Sequence, residues 1–357
     1  MPAPLTAPDM PAATARAQAW WARAARWADL LLAPSATALR RWALAGVVTS
    51  SLIILTGAAV RLSQSGLGCT DWPACTARSL VAAGTTGDPL IHRWVEFGNR
   101  LVTVAIFVVA IGVCIATWRF RPPGGRRRRD LLWLAAAQPG AIVLQALLGG
   151  AVVITKLNPA LVSLHFLASV ALLAATVALY MRCQEGPDPA VPLVPGLVRL
   201  AAGGVVGAIA LMITAGTVVT GTGPLAGAAG VARYHLPLEG VTQLHADIGW
   251  LLAGLMVALL LGLRLTAAPR KAVRLGWLLL GLIGLQGVVG YTQYFTHLPA
   301  GLVWFHVAGS VAIWITALLL PYALRNRGSI ADQQDTSAMP EPEAAPTGAS
   351  TARAGTV

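Results

Sequence analysis

The chain has 357 residues, of which 56% are hydrophobic and only 11% charged, and its net charge is +12. A soluble domain carries about 25% charged residues, so the composition excludes an ordinary water-soluble globule and points to lipid. The basic residues fall in blocks between apolar runs, so they read as topology signals and not as a nucleic-acid surface; no nucleic-acid partner is expected.

Residues 1–42 are too long and too rich in arginine for a cleaved signal peptide, and read as a cytoplasmic segment. Within it "AWWARAARWADLLL" (19–32) has the pattern of an amphipathic helix lying on membrane lipid. Eight apolar runs follow, at 43–62, 94–118, 131–154, 161–181, 199–220, 243–263, 273–293 and 302–324. Each meets the ~20 residues that a bilayer span requires.

Arg16, Arg23, Arg26, Arg40 and Arg41 precede the first span, and "RFRPPGGRRRR" (119–129) joins the second to the third. Arg182 and Arg199 flank the next even loop, "RLTAAPRKAVR" (264–274) the one after, and Arg325 and Arg327 follow the last span. The odd loops hold only Arg78, Lys156 and Arg233. By the positive-inside rule both termini are cytoplasmic and the chain is a multi-pass protein of the cell membrane. Residues 326–357 are small, polar and proline-containing, and read as a disordered cytoplasmic tail.

The first external loop, "GLGCTDWPACTA", contains Cys69 and Cys75. An oxidising exterior permits a disulfide there; two free or redox-active thiols are the alternative. Cys114 and Cys183 fall near the cytoplasmic ends of their spans and read as inert thiols.

Span two opens with "IHRWVEFGNR". On a helix His92, Glu96 and Arg100 stand at i, i+4 and i+8, and Asn99 three beyond Glu96, so all share one broad face. Glu96 at membrane depth needs a partner. Either it pairs with Arg100 and pins the helix, or it stands beside a bound substrate whose acidic groups Arg93 or Arg100 meets.

A shift of 141 residues places Gln145 on Gln286, Gly149 on Gly290, His165 on His306, and Ser169-Val170-Ala171 on Ser310-Val311-Ala312. "TGAAVRLSQSG" (56–66) likewise resembles "AGTVVTGTG" (215–223). The expected fold is therefore all-α, with eight transmembrane helices in two duplicated four-helix halves, 43–181 and 199–325. An even number of spans per half inserts both copies in the same orientation.

That topology puts His165 and His306 about one turn, ~6 Å, inside the outer boundary. His92 and His245 lie at the starts of their spans, near the same level. Ionisable residues at membrane depth are functional candidates by default. With no cysteine or carboxylate beside them, His245 and His306 suit a haem iron held from opposite sides better than zinc or a dicopper site. Glycine and alanine runs near them either allow close helix packing or leave room for a flat macrocycle. His235 and His297 read as solvated loop residues.

"RLSQSGLGCTDWPAC", "EFGNR", "LQALLGGAVVITKLNPALVSLHFLAS", "GTGPLAG", "QLHADIGW" and "LQGVVGYTQYFTHLPAGLVWFHVAGS" together resemble the haem A synthase family, over roughly residues 44–325. The resemblance implies an oxidoreductase that converts the C8 methyl of haem O to a formyl group, giving haem A for terminal oxidase assembly. It implies a cofactor haem b between His245 and His306. It also implies a substrate haem in the first half, its iron on His165, near Glu96 as the catalytic carboxylate.

A haem O synthase, a membrane farnesyltransferase, is the implied donor, and the electron acceptor stays unidentified. The family pattern in span two is Glu-x-x-His-Arg, whereas this chain has Asn99 before Arg100. Either His92 replaces the missing ligand or the substrate iron keeps an open face beside His165. The family's second cysteine pair, before span six, is missing, so one disulfide is expected. A di-haem electron-transfer cytochrome and a transporter with packing histidines are the rival classes.

Overall fold

The computed structural model describes residues 20–21, 35–77, 79–82, 90–122 and 127–328. The amphipathic segment beyond Trp20 and Trp21, and the tail from 329 onward, lie outside the described residues. Eight helices are long and apolar enough to cross a membrane. They are α1 (Ala36–Leu62), α2 (Leu90–Arg119), α3 (Arg129–Ile154), α4 (Pro159–Arg182), α5 (Gly196–Thr222), α6 (Leu238–Leu265), α7 (Arg270–Phe295) and α8 (Ala300–Ala323). The chain is a multi-pass membrane protein.

Local sequence sets the helix starts. Ser35 Oγ accepts from Ala38 N, so α1 begins seven residues ahead of the apolar run that marks it. Asn158 caps α4 through Ala160 N and Leu161 N, with Pro159 in the first turn. α6, α7 and α8 start directly after Pro237, Pro269 and Pro299.

The duplication reaches into the turns. Lys156 and Leu157 after α3 take positive φ values of 54° and 62°, and His297 and Leu298 after α7 take 63° and 60°. Leu157 N donates to Val152 O at 2.8 Å, and Leu298 N to Gln293 O at 2.7 Å, so both turns close alike. His297 is thus a turn residue whose counterpart is Lys156.

Within each half the four helices pack as a ring, α1-α2-α3-α4 and α5-α6-α7-α8, each closed by contact of its first and last helix. The rings join through α1 on α8, α5 on α4, and α4 on α8, a pattern that exchanging the halves leaves unchanged. The largest core follows this seam, with Leu173 and Val177 of α4, Val205 of α5, and Ala317 and Leu320 of α8 all within 1% of full burial.

Lipid tails are as apolar as leucine, so close packing and hydrogen bonds hold such a seam. Trp314 Nε1 donates to Val170 O and Trp304 Nε1 to Leu55 O, both at 3.0 Å across the halves. Gly112 admits the Trp42 ring, which a Cβ would meet at 2.5 Å.

At the end of the bundle rich in arginine, Asp130 pairs with Arg128 and Arg182, and Glu185 with Arg182 and Arg325. The short strands β1 (Val191–Pro192) and β2 (Arg325–Asn326) pair antiparallel beside this network and tie the two halves together. Burial raises the Glu185 carboxyl, but the Arg325 and Arg182 guanidiniums outweigh it and hold the group below its ordinary range. Burial pushes the Cys183 thiol up to about 12, which keeps it protonated and unreactive.

Candidate functional site

At the opposite end, Cys69 and Cys75 form a disulfide, and both are fully buried. The loop they close lies on the start of α2, where Gly68 approaches so near that a Cβ would stand 2.4 Å from His92 O. Trp72 of the same loop packs on α3 at Gly150, where a Cβ would fall 2.6 Å from its ring. The loop is thus seated on two helices of the first half.

Glu96 is the hub of that seat and is only 6% exposed. Its Oε2 accepts from Cys69 N at 2.7 Å and its Oε1 from Arg100 Nη2 at 2.7 Å. Arg100 also donates to the carbonyls of Asp71 and Ala74, at 3.0–3.1 Å, and at 3.4 Å to that of Pro73. The Glu96–Arg100 pair therefore exists, and it binds the disulfide loop rather than standing alone on the helix. The Gly68 backbone N–H also acts on the carboxylate, so the loop backbone and Arg100 hold it together.

His92 and Asn99 are engaged elsewhere on the same helix. His92 Nδ1 bonds to Ser65 Oγ at 2.7 Å, and Asn99 Oδ1 accepts from Thr56 Oγ1 at 2.7 Å. His165, on α4, faces Gly149 of α3, where a Cβ would stand 3.4 Å from its Cε1, and its buried Nδ1 has no partner.

In the second half His306 of α8 faces Gly290 of α7, again with a would-be Cβ at 3.4 Å from Cε1. His245 of α6 faces Gly216 of α5, at 3.2 Å. The His245 and His306 rings confront one another with centroids 6.3 Å apart and planes at 62°. Both leave Nδ1 buried without a hydrogen bond, although the backbone carbonyl of Met212 acts on the His245 ring. Gly216 answers to Gly57 in the duplicated pattern, and Thr56 beside Gly57 bonds to Asn99, so Asn99 meets the first-half counterpart of the helix that His245 faces.

A haem fits these residues. Two imidazoles confront each other, and 6.3 Å is about the centroid spacing of two rings that each place a nitrogen ~2 Å from one metal between them. The glycines behind the rings remove the side chains that would crowd them. Among the described residues no three His, Cys, Asp or Glu converge on one point, so the donor set is a pair of imidazoles and not the closed four-ligand cage of structural zinc.

Sequence reasoning brings together Glu96 with Arg100 and His245 with His306, and the structure does the same. It missed Ser65 and Thr56 as partners of His92 and Asn99, and the seating of Trp72 on Gly150. The glycine cradles were legible in part, because the 141-residue shift already aligns Gly149 with Gly290.

A family model described as cytochrome oxidase assembly protein, COX15-CtaA, matches residues 40–318. A haem A synthase of Shewanella oneidensis is 24% identical over 331 residues, covering 79% of this chain and 96% of its own length. A haem A synthase of Lysinibacillus sphaericus is 37% identical over 145 residues, 40% of this chain and 44% of its own length. One of Listeria innocua is 29% identical over 150 residues, 41% of this chain and 46% of its own length.

Proposed function

The chain belongs to the COX15-CtaA family of cytochrome oxidase assembly proteins, and from that membership we propose that it is a haem A synthase, oxidising the C8 methyl of haem O to a formyl group. The observation that carries this reading is the asymmetric pair of cradles: two facing histidines in one half, and one histidine with a buried carboxylate in the other. The positive-inside distribution of arginines supports a cell-membrane protein with both termini cytoplasmic. The disulfide loop and both cradles then lie toward the outer leaflet.

His245 and His306 would hold a haem b. Bound there, that haem supplies one-electron redox chemistry, with a potential set by its two imidazoles and their surroundings. His165 ligates the substrate iron in the first half. Asn99 is a neutral amide and a poor ligand, and its oxygen is engaged by Thr56. His92 is tied to Ser65. One strong ligand instead of two suits a haem that enters and leaves.

Converting a methyl to a formyl group takes one oxygen from water and releases four protons and four electrons, the electrons passing to an acceptor outside the chain. Glu96 stands at the substrate edge, where it stabilises developing positive charge or takes a proton from attacking water. Arg100 and the backbone N–H groups of Cys69 and Gly68 hold the carboxylate in one orientation. The disulfide loop closes over α2 and screens this carboxylate from bulk solvent.

Haem O synthase is the proposed donor of the substrate. Pigment extraction from membranes expressing the full chain with a haem O supply tests the whole reading. Haem A, or its hydroxylated precursor, is the expected product; haem B alone overturns it.

A further inference from the structure

We propose that Gln145 and Gln286 are positioning residues that accept the Nδ1–H of His165 and His306, fixing each ring for iron ligation through Nε2. The inference rests on the reading of those histidines as axial ligands.

The two glutamines correspond under the 141-residue shift, on α3 and α7, each one turn before the glycine that faces the histidine ring. Gln145 reaches α4 beside its histidine, where Nε2 donates to His165 O at 3.2 Å and to Ser169 Oγ at 3.0 Å. Gln286 presses on α8 at Gly309, three residues past His306, so closely that a Cβ there would stand 1.8 Å from Nε2. Each glutamine thus sets its amide nitrogen against the helix that carries the histidine.

Each also leaves its Oε1 buried with no donor, while His165 and His306 leave Nδ1 buried with no partner. A missing donor and a missing acceptor therefore recur, on neighbouring helices, in both halves. Buried polar atoms are seldom left so. A metal-bound imidazole donates its other N–H to a carbonyl, a carboxylate or water, which fixes the ring and raises its basicity. The terminal torsions of glutamine and histidine are broad, so each group has rotational freedom to turn toward the other. His245 has a different acceptor at hand, the Met212 backbone carbonyl.

The test uses purified full-length protein carrying haem b, and compares wild type with Gln286→Leu and Gln286→Glu by redox titration and low-spin optical spectrum. Loss of the acceptor in Gln286→Leu weakens electron donation from His306, so the midpoint potential rises and haem dissociates about tenfold faster. A carboxylate acceptor in Gln286→Glu lowers the potential below wild type. Shifts of opposite sign are not produced by a glutamine that only packs.

Gln145→Leu weakens haem O retention and leaves the haem b potential where it was. Equal potentials in wild type and Gln286→Glu overturn the inference, whether or not the leucine variant accumulates. If His306→Ala still abolishes the low-spin haem, that failure belongs to the glutamine alone. A low-spin spectrum that survives His306→Ala overturns the inference and the ligation reading together.

Discussion

In the second half His245 and His306 confront each other across 6.3 Å with a glycine behind each ring. In the first half His165 keeps its glycine, but α2 meets α1 through Asn99, an amide bonded to Thr56. The first half also has what the second lacks. Glu96 is buried under a disulfide loop, whereas Asp247, the acidic residue near His245, pairs with Gln243 at an exposed position. Duplication supplied one helical cradle twice, and a few side chains distinguish the two copies. Under the proposed function, two imidazoles would retain a haem in one, while one imidazole and a carboxylate would permit exchange and chemistry in the other.

The largest expected effect breaks the comparison at the iron. His245→Ala or His306→Ala is expected to lose the low-spin haem b entirely, read in the optical spectrum of purified protein. His165→Ala is expected to keep that spectrum and lose haem A formation. If His165→Ala removed the low-spin haem instead, the assignment of the two halves would be reversed.

Glu96→Gln comes next. It preserves shape and the Cys69 N–H bond while removing the charge, and positioned acid–base groups contribute about 10²–10⁴ in rate. The expected outcome is normal haem b content with haem O, or its hydroxylated form, accumulating in pigment extracts. Normal haem A yield would reduce Glu96 to an anchor for Arg100 and the loop.

A smaller effect sharpens the contrast in the loops. Cys75→Ser opens a short cross-link worth ~2 kcal/mol by loop entropy and loosens the carbonyls of Asp71 and Ala74 that Arg100 holds. Haem A yield should fall several-fold while the haem b spectrum stays unchanged. A shifted haem b spectrum would show that the loop serves both halves.

The smallest effect concerns the opposite end, where Glu185 joins α4 to Arg325 beyond α8. Its carboxyl is lowered in the folded protein, so its contribution is fully present above the unfolded glutamate value of about 4.3. That contribution is lost as pH falls through the lower folded value. Thermal midpoints in detergent should drop more between pH 5 and pH 3 for wild type than for Glu185→Gln. Equal drops in both would mean that this pair adds nothing to holding the halves together.

Eight spans, their pairing into two halves, and the histidines as a matched set all follow from residue patterns along the chain. A bilayer requires about 20 apolar residues per crossing, and a repeat needs only alignment to be seen. What only the tertiary structure decided depends on residues far apart in sequence. These are the seating of His245 against Gly216 of α5, and the pinning of the disulfide loop by Arg100. The strand pair β1–β2 and the Arg325–Glu185 ion pair belong with them, because their partners lie more than 130 residues apart. Periodicity reports which face of a helix is apolar; it carries no record of which other helix that face will meet.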